Sequence, residues 1–222
     1  MSTKIGLVSD VHATPAPLQE ALSIFAKEGV DMILCAGDIA GYGHELEQTV
    51  ALLMASECKA IFGNHEVWHL EANRNDEENQ VNFYFRNLPP VLDLVIEGKK
   101  LYMVHASPPQ SCMDGIKLLD ECGELLSDQK EVWTERLAGF GHDVLVVGHT
   151  HQVFSEQLGD TLVINPGSTK FNHSCAILSL PGMECQWVSL SNKVSVKVWH
   201  WGPDRLMQNV ASEGSTRHGQ KR

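Results

Sequence analysis

Apolar positions in the first sixty residues alternate between a strand period and a helix period. Lys4–Ser9 is a short, largely apolar run, which predicts a buried strand. Pro17–Gly29 places Leu18, Ala21, Leu22 and Phe25 at helical spacing and ends on glycine, which predicts a helix and its stop. A second strand follows at Met32–Cys35, and then a second helix at Glu45–Ser56 with Leu46, Val50, Leu53 and Met54 on one face. A third strand is expected at Lys59–Phe62. A β-α-β-α-β order implies a parallel sheet with right-handed crossovers.

The pattern then loosens. Glu66–Asn87 is polar, with Asp76-Glu77-Glu78 at its centre, and reads as a solvated helix in preference to a mobile flap. Val91–Ile96 and Leu101–His105 predict a hairpin around Glu97-Gly98-Lys99-Lys100, and Ser107-Pro108-Pro109 reads as a loop. Short helices are expected over Ile116–Leu126 and Lys130–Gly139, and a buried strand over Asp143–Val147. Beyond that point the pattern is β throughout, with strands expected at Val153–Leu158, Thr161–Asn165, Ser174–Leu180, Glu184–Leu190 and Val194–His200. Residues 202–222 have no apolar period and are expected to be a disordered tail on a single domain of residues 1–201.

Composition narrows the function classes. A chain of 222 residues, 43% of them hydrophobic, has enough apolar surface for a large core without disulfides. Its cysteines show no C-x-x-C spacing, so reduced structural thiols are expected. No stretch approaches the roughly 18 apolar residues of a membrane-spanning helix, and the first strand is too short for a signal-peptide core. A cytoplasmic location follows as the default. The formal net charge of −11 argues against general binding of nucleic acid. An acidic protein that handles phosphate must bring positive charge locally, and metal ions are the natural source.

The candidate chemistry sits directly after the predicted strands. The ends read Ser9-Asp10-Val11-His12, Gly37-Asp38, Gly63-Asn64-His65-Glu66, His105 and Gly148-His149-Thr150-His151. Ligands of open α/β sheets bind outside the carboxyl ends of the strands. Asp10, His12, Asp38, Asn64, His105, His149 and His151 are therefore candidate metal ligands. Singly, each has a plainer reading as a cap, a turn former or a hydrogen-bonded histidine. That reading does not explain why all of them fall at strand ends, or why Gly37, Gly63 and Gly148 each precede a cluster.

In this order the motifs D-x-H, G-D, G-N-H-E, H and G-H-x-H resemble the calcineurin-like metallophosphoesterase family over roughly residues 4–170. Asn165-Pro166-Gly167-Ser168 and the compact size are similar to its small single-domain bacterial and archaeal phosphodiesterase branch. The resemblance implies an α/β fold, a four-layer α-β-β-α sandwich of two mixed sheets flanked by helices. It implies that Asp10, His12, Asp38 and His151 hold one divalent ion, and that Asp38, Asn64, His105 and His149 hold a second. Mixed nitrogen and oxygen donors favour Mn²⁺, with Fe or Zn²⁺ as alternatives. It implies hydrolysis of a small phosphodiester by a hydroxide bridging the two metals, with His65 as the general acid and Asp10 or Glu66 orienting it. His44 is a further candidate for contacting substrate, while His69 and His173 read as surface or supporting residues.

Two alternatives stand beside this reading. Protein phosphatases of the family carry arginines in the G-D segment and after G-N-H-E. Residues 37–43 and 65–70 hold none, which favours a diester monoanion over a monoester dianion. A scaffold subunit on the same fold is the alternative from another class, but it should have lost ligands that this chain retains.

Overall fold

β1 (Thr3–Val8) sends Ile5 and Leu7 to one face and Val8 to the other. Gly6 lies against the helix-facing side, where a Cβ would come within 2.6 Å of the Phe25 ring. α1 (Pro15–Glu28) opens with prolines in its first turn, closes on Gly29 in the left-handed conformation, and buries Leu18, Ala21, Leu22 and Phe25. β2 (Met32–Cys35), α2 (Leu46–Ala55) and β3 (Lys59–Ala60) complete the β-α-β-α-β unit, and β1, β2 and β3 pair in parallel. In this computed structural model the described residues are 2–76 and 79–199. The expected tail at 202–222 lies outside them, as do His200 and His218.

After α3 (Asn64–Ala72) and α4 (Gln80–Arg86), a hairpin of β4 (Val91–Ile96) and β5 (Lys99–Val104) turns on Glu97 and Gly98, both at positive φ. α5 (Ser127–Arg136), β6 (Val144–Val146), β7 (Val153–Leu158), β8 (Thr161–Pro166), β9 (Ser174–Leu180) and β10 (Glu184–Ser189) follow. The strands form two five-stranded sheets, β10-β9-β1-β2-β3 and β4-β5-β6-β8-β7. Both are mixed: β9 runs antiparallel to β1 in the first, and in the second β5, β6 and β8 are parallel while β4 and β7 pair antiparallel with β5 and β8. Ile5, Leu7, Leu34 and Leu178 meet Leu101, Met103, Val146 and Ile164 between the sheets. α1, α2 and α4 cover the outer face of the first sheet, and α5 packs Trp133 on the outer face of the second. This is the four-layer α-β-β-α sandwich, and it puts the carboxyl ends of β1, β2, β5 and β6 at one rim. All the cysteines are free, and among the described residues no helix is long and apolar enough to cross a membrane.

Four sequence expectations need correction. The 66–87 stretch is not one solvated helix. Asn79 caps α4 by accepting from the Val81 and Asn82 amides, and Val81 and Phe85, one turn apart, dock into the core. Residues 116–126 are not helical. The Gln152 side chain accepts from the Leu118 and Leu119 amides and donates to the Leu119 carbonyl, as a neighbouring strand would, and Asp120 closes a turn on Cys122 and Glu124. The helix expected at 130–139 begins earlier, at Ser127, and ends at Arg136. Val194–His200 is not a strand. Its described part crosses between the sheets as a strap, with the Val196 amide on the Asn172 carbonyl, the Lys197 carbonyl on the Val153 amide, and the Trp199 amide on the His151 carbonyl. Val198 pairs with Gln152 only as an isolated bridge, and Val194 is exposed, so the alternating valines face no common surface.

The packing at Gly6 gives a stability prediction. Gly6→Ala drives a methyl into the fully buried Phe25 ring. Overpacking of this kind costs about 1–3 kcal/mol, or roughly 2–12 °C in Tm for a chain of this size. A melting curve superimposable on that of the unsubstituted protein would show that the α1–β1 contact yields freely.

Candidate metal centre

Each candidate ligand is set by a tight turn at the end of a strand. The chain leaves β1 with the Asp10 amide on the Gly37 carbonyl and the His12 amide on the Asp38 carbonyl, 3.0 Å each, so these two turns are laced together. Asp10, His12, Ala13, Asp38, His149 and His151 all have φ between 48° and 66°, the left-handed region that side chains rarely adopt. Glycines give the close approach that this crowding demands. A Cβ on Gly63 would overlap Asp38 Oδ1, and one on Gly148 would overlap Ser9 Oγ.

The donor atoms converge in a buried cluster. His12 Nε2 and His151 Nε2 lie 3.0 Å apart, and His151 Nε2 lies 3.2 Å from Asp10 Oδ1. His105 Nε2 lies 3.3 Å from Asp38 Oδ1 and 3.2 Å from Asn64 Oδ1, which is also 2.9 Å from His149 Nδ1. Donor atoms of Asp10, His12 and His151 form one group within 4.8 Å, and those of Asp38, His105 and His149 form another. A third group joins His12, Asp38 and His65, so Asp38 belongs to two of them.

Supporting bonds turn the donor atoms inward. His12 Nδ1 donates to the Ala40 carbonyl at 3.0 Å and His105 Nδ1 to the Ala36 carbonyl at 2.6 Å, which turns each Nε2 toward the cluster. Burial pushes the His12 imidazole down to about 4, although Asp10 and Asp38 oppose this. His149 is likewise lowered by burial. At His105 burial is outweighed by Asp38, which raises the imidazole to about 10. Asp10 stays ionised despite complete burial because His151, His105 and His12 surround it. Neutral imidazoles at His12 and His149, a positive charge held at His105 by Asp38, and buried carboxylates that demand such charge are a donor set suited to a cation.

The sequence missed several residues that hold this arrangement. Glu66 is fully buried and accepts from the amides of Asp38 (2.9 Å), Ala40 (2.7 Å) and Gly63 (2.7 Å), fastening two motif loops to α3. Burial, with Asp38 nearby, raises its carboxyl to about 7. It does not orient His65, and neither does Asp10. The carboxylate facing His65 is Asp38, whose Oδ2 lies 3.9 Å from His65 Nε2. Ser168 Oγ donates to the Asp10 carbonyl, Asn172 Nδ2 to the His151 carbonyl and Asn165 Nδ2 to the Gly148 carbonyl. Phe171 stacks on His151, and Trp199 of the strap stacks on Phe171. Glu66, in the Gly63–Glu66 motif, and the Asn165–Ser168 run carried a signal, though not these bonds, and Asn172 and Phe171 gave none.

The other histidines separate from the cluster. His44 is exposed and lines a cleft outside it. His69 bonds Asn82, His173 lies near Lys193, and His142 pairs with Asp93.

A family model described as the calcineurin-like phosphoesterase superfamily domain matches residues 3–180. The phosphodiesterase YfcE of Escherichia coli is 26% identical over 168 residues, spanning 74% of this chain and 78% of its own length. The uncharacterized protein MJ0912 of Methanocaldococcus jannaschii is 25% identical over 211 residues, spanning 88% of this chain and 82% of its own. The crystal structure of a metallophosphoesterase from Sphaerobacter thermophilus superposes with a TM-score of 0.59 at 21% identity, covering 97% of this chain and 98% of the other. At that identity the likeness bears on the fold alone.

Proposed function

Because the chain belongs to the calcineurin-like phosphoesterase superfamily and is a hydrolase of phosphoesters, we propose that it is a dinuclear phosphodiesterase acting on a small phosphodiester in the cytoplasm. Asp10, His12, Asp38 and His151 hold one divalent ion, and Asp38, Asn64, His105 and His149 hold the other. The observation that supports this reading is that Asp38 groups with His12, a member of the Asp10 and His151 group, and also with His105 and His149. Divalent ions, Mn²⁺ foremost, supply the positive charge that binds the phosphate and lowers the pKa of the attacking water. The residues of the chain do the rest. Asp38 and Asp10 set the charge of the site, Asn64 adds a neutral oxygen, and His65 delivers a proton to the leaving oxygen. The phosphodiesterase name of YfcE and the lack of arginine in residues 37–43 and 65–70 support a diester over a monoester.

A second reading is favoured by one contact. The grouping of His65 with His12 and Asp38 allows His65 to be a ligand instead of an acid.

The bridging role is tested at Asp38. Asp38→Asn keeps the size but removes one charge and one anionic oxygen. The variant is expected to fall below two divalent ions per chain by elemental analysis and to lose roughly 10²-fold or more in turnover of bis(p-nitrophenyl) phosphate. Two ions per chain with ordinary turnover would remove Asp38 from the bridge. A parent protein that binds no divalent ion would instead favour the scaffold alternative.

A further inference from the structure

Two segments that are separate in the chain meet on the backbone of His151. His151 has φ 48°, in the left-handed region that a side chain keeps only when its surroundings fix it there. Its carbonyl accepts from Asn172 Nδ2 at 2.9 Å and from the Trp199 amide at 3.1 Å. The first donor belongs to the loop after β8 and the second to the strap. Phe171 adds a ring stacked on the His151 imidazole, with Trp199 stacked behind it.

Asn172 is the joint between these segments. It is fully buried, and its side-chain amide is spent on structural bonds. Nδ2 donates to the His151 carbonyl and, at 2.7 Å, to the Val196 carbonyl, which uses both of its hydrogens. Oδ1 accepts from the Ser168 amide at 2.8 Å. The Val196 amide returns to the Asn172 carbonyl at 3.0 Å, so the strap is clipped to Asn172 in both directions. Ser168 Oγ in turn donates to the Asp10 carbonyl at 2.6 Å. One loop therefore braces the backbone of Asp10 and of His151, two residues proposed for the same ion. Of the residues proposed for the other ion, Glu66 braces Asp38 and, through the Gly63 amide, the start of Asn64, while the Ala36 carbonyl holds His105 Nδ1. The two groups touch where the His149 amide donates to the Asp10 carboxylate, a bond that does not pass through Asn172.

We propose that Asn172, clipped to the strap, is the positioning residue for the ion held by Asp10, His12 and His151. The two ions then have separable supports, one built on Asn172 and the other on Glu66, and loosening the first leaves the second ion in place. Asn172 acts through the His151 backbone, with its own polar atoms already engaged. This inference rests on the two-ion reading above.

The test titrates Mn²⁺ into the metal-free full chain, with calorimetry reading the affinity of each ion and electron paramagnetic resonance reading whether bound ions are coupled. Asn172→Asp keeps the acceptor for the Ser168 amide and loses the amide nitrogen. It is expected to weaken one ion about 10–100-fold, the usual cost of losing a partner that orients a ligand, and to leave the other near its parent value. At intermediate Mn²⁺ the signal of a coupled pair in the parent gives way to that of an isolated ion in the variant. Ligand variants identify which ion is affected. On a His12→Ala background Asn172→Asp is expected to leave the remaining ion unchanged, and on a His149→Ala background to weaken it. Trp199→Pro deletes the strap amide that reaches His151 without altering the core, so it is expected to weaken the same ion, and Trp199→Phe to restore it. Equal weakening of both ions, no weakening in either Asn172→Asp or Trp199→Pro, or weakening on the His12→Ala background would overturn the inference and leave the two-ion reading intact. A parent chain that binds fewer than two ions would overturn the two-ion reading itself.

Discussion

Exhaustive chelation is expected to abolish hydrolysis of bis(p-nitrophenyl) phosphate, and Mn²⁺ is expected to restore it better than Ca²⁺. The chain carries a formal charge of −11 and buries Asp10 and Asp38 completely or nearly so. A phosphodiester anion has no reason to approach such a site unless cations occupy it. The donor set also discriminates. His12, His105, His149 and His151 offer nitrogen, which suits Mn²⁺, Fe or Zn²⁺, whereas Ca²⁺ prefers about six to eight oxygens. The far-ultraviolet circular dichroism spectrum should survive chelation, because the three apolar clusters do not depend on the site. Full activity in protein shown by elemental analysis to be metal-free would sink the two-ion mechanism.

His65→Asn is expected to keep two ions per chain while losing activity in proportion to the basicity of the leaving group. Removing a general acid costs about 10²–10⁴ in rate when the leaving oxygen needs a proton. Alkyl and nucleoside oxygens need it, whereas p-nitrophenolate is a far weaker base and departs without it. Burial lowers the His65 pKa, and Asp38, 3.9 Å away, opposes that shift. A leaving-group series on parent and variant gives the answer, with metal content measured in both. Parallel plots would remove the acid role, and loss of an ion would make His65 a ligand, as its grouping with His12 and Asp38 allows.

What was legible in the sequence follows from parallel topology. Strands that run the same way finish at the same rim, so Asp10, Asp38, His105 and His149 could be placed together from strand ends alone. The same logic misled at Asn64. Neighbours at the end of a strand diverge, which predicts that His65 points away from the cluster. Asn64 instead opens α3, so the rule does not apply, and His65 Nε2 lies 3.9 Å from Asp38 Oδ2. The unread parts depend on partners distant in the chain. Residues 118–119 take their shape from Gln152, and the strap takes its shape from Asn172 and His151. A local period carries no information about such partners. Glu66 could be read as polar and near the site, but not as the acceptor of three amides, because two of those amides belong to a loop 26–28 residues earlier.

The left-handed backbone at Asp10, His12, Asp38, His149 and His151 sets the chemistry of the site against the stability of the chain. Each such residue costs of order 1 kcal/mol or more relative to a residue at ease there. Glycine or asparagine at these positions relieves that cost, at the expense of a ligand. Under selection for hydrolysis the strain is retained. In a lineage where hydrolysis no longer matters, the substitutions that erase the site are also the ones that firm the fold, so the path from enzyme to inert module on this scaffold runs downhill.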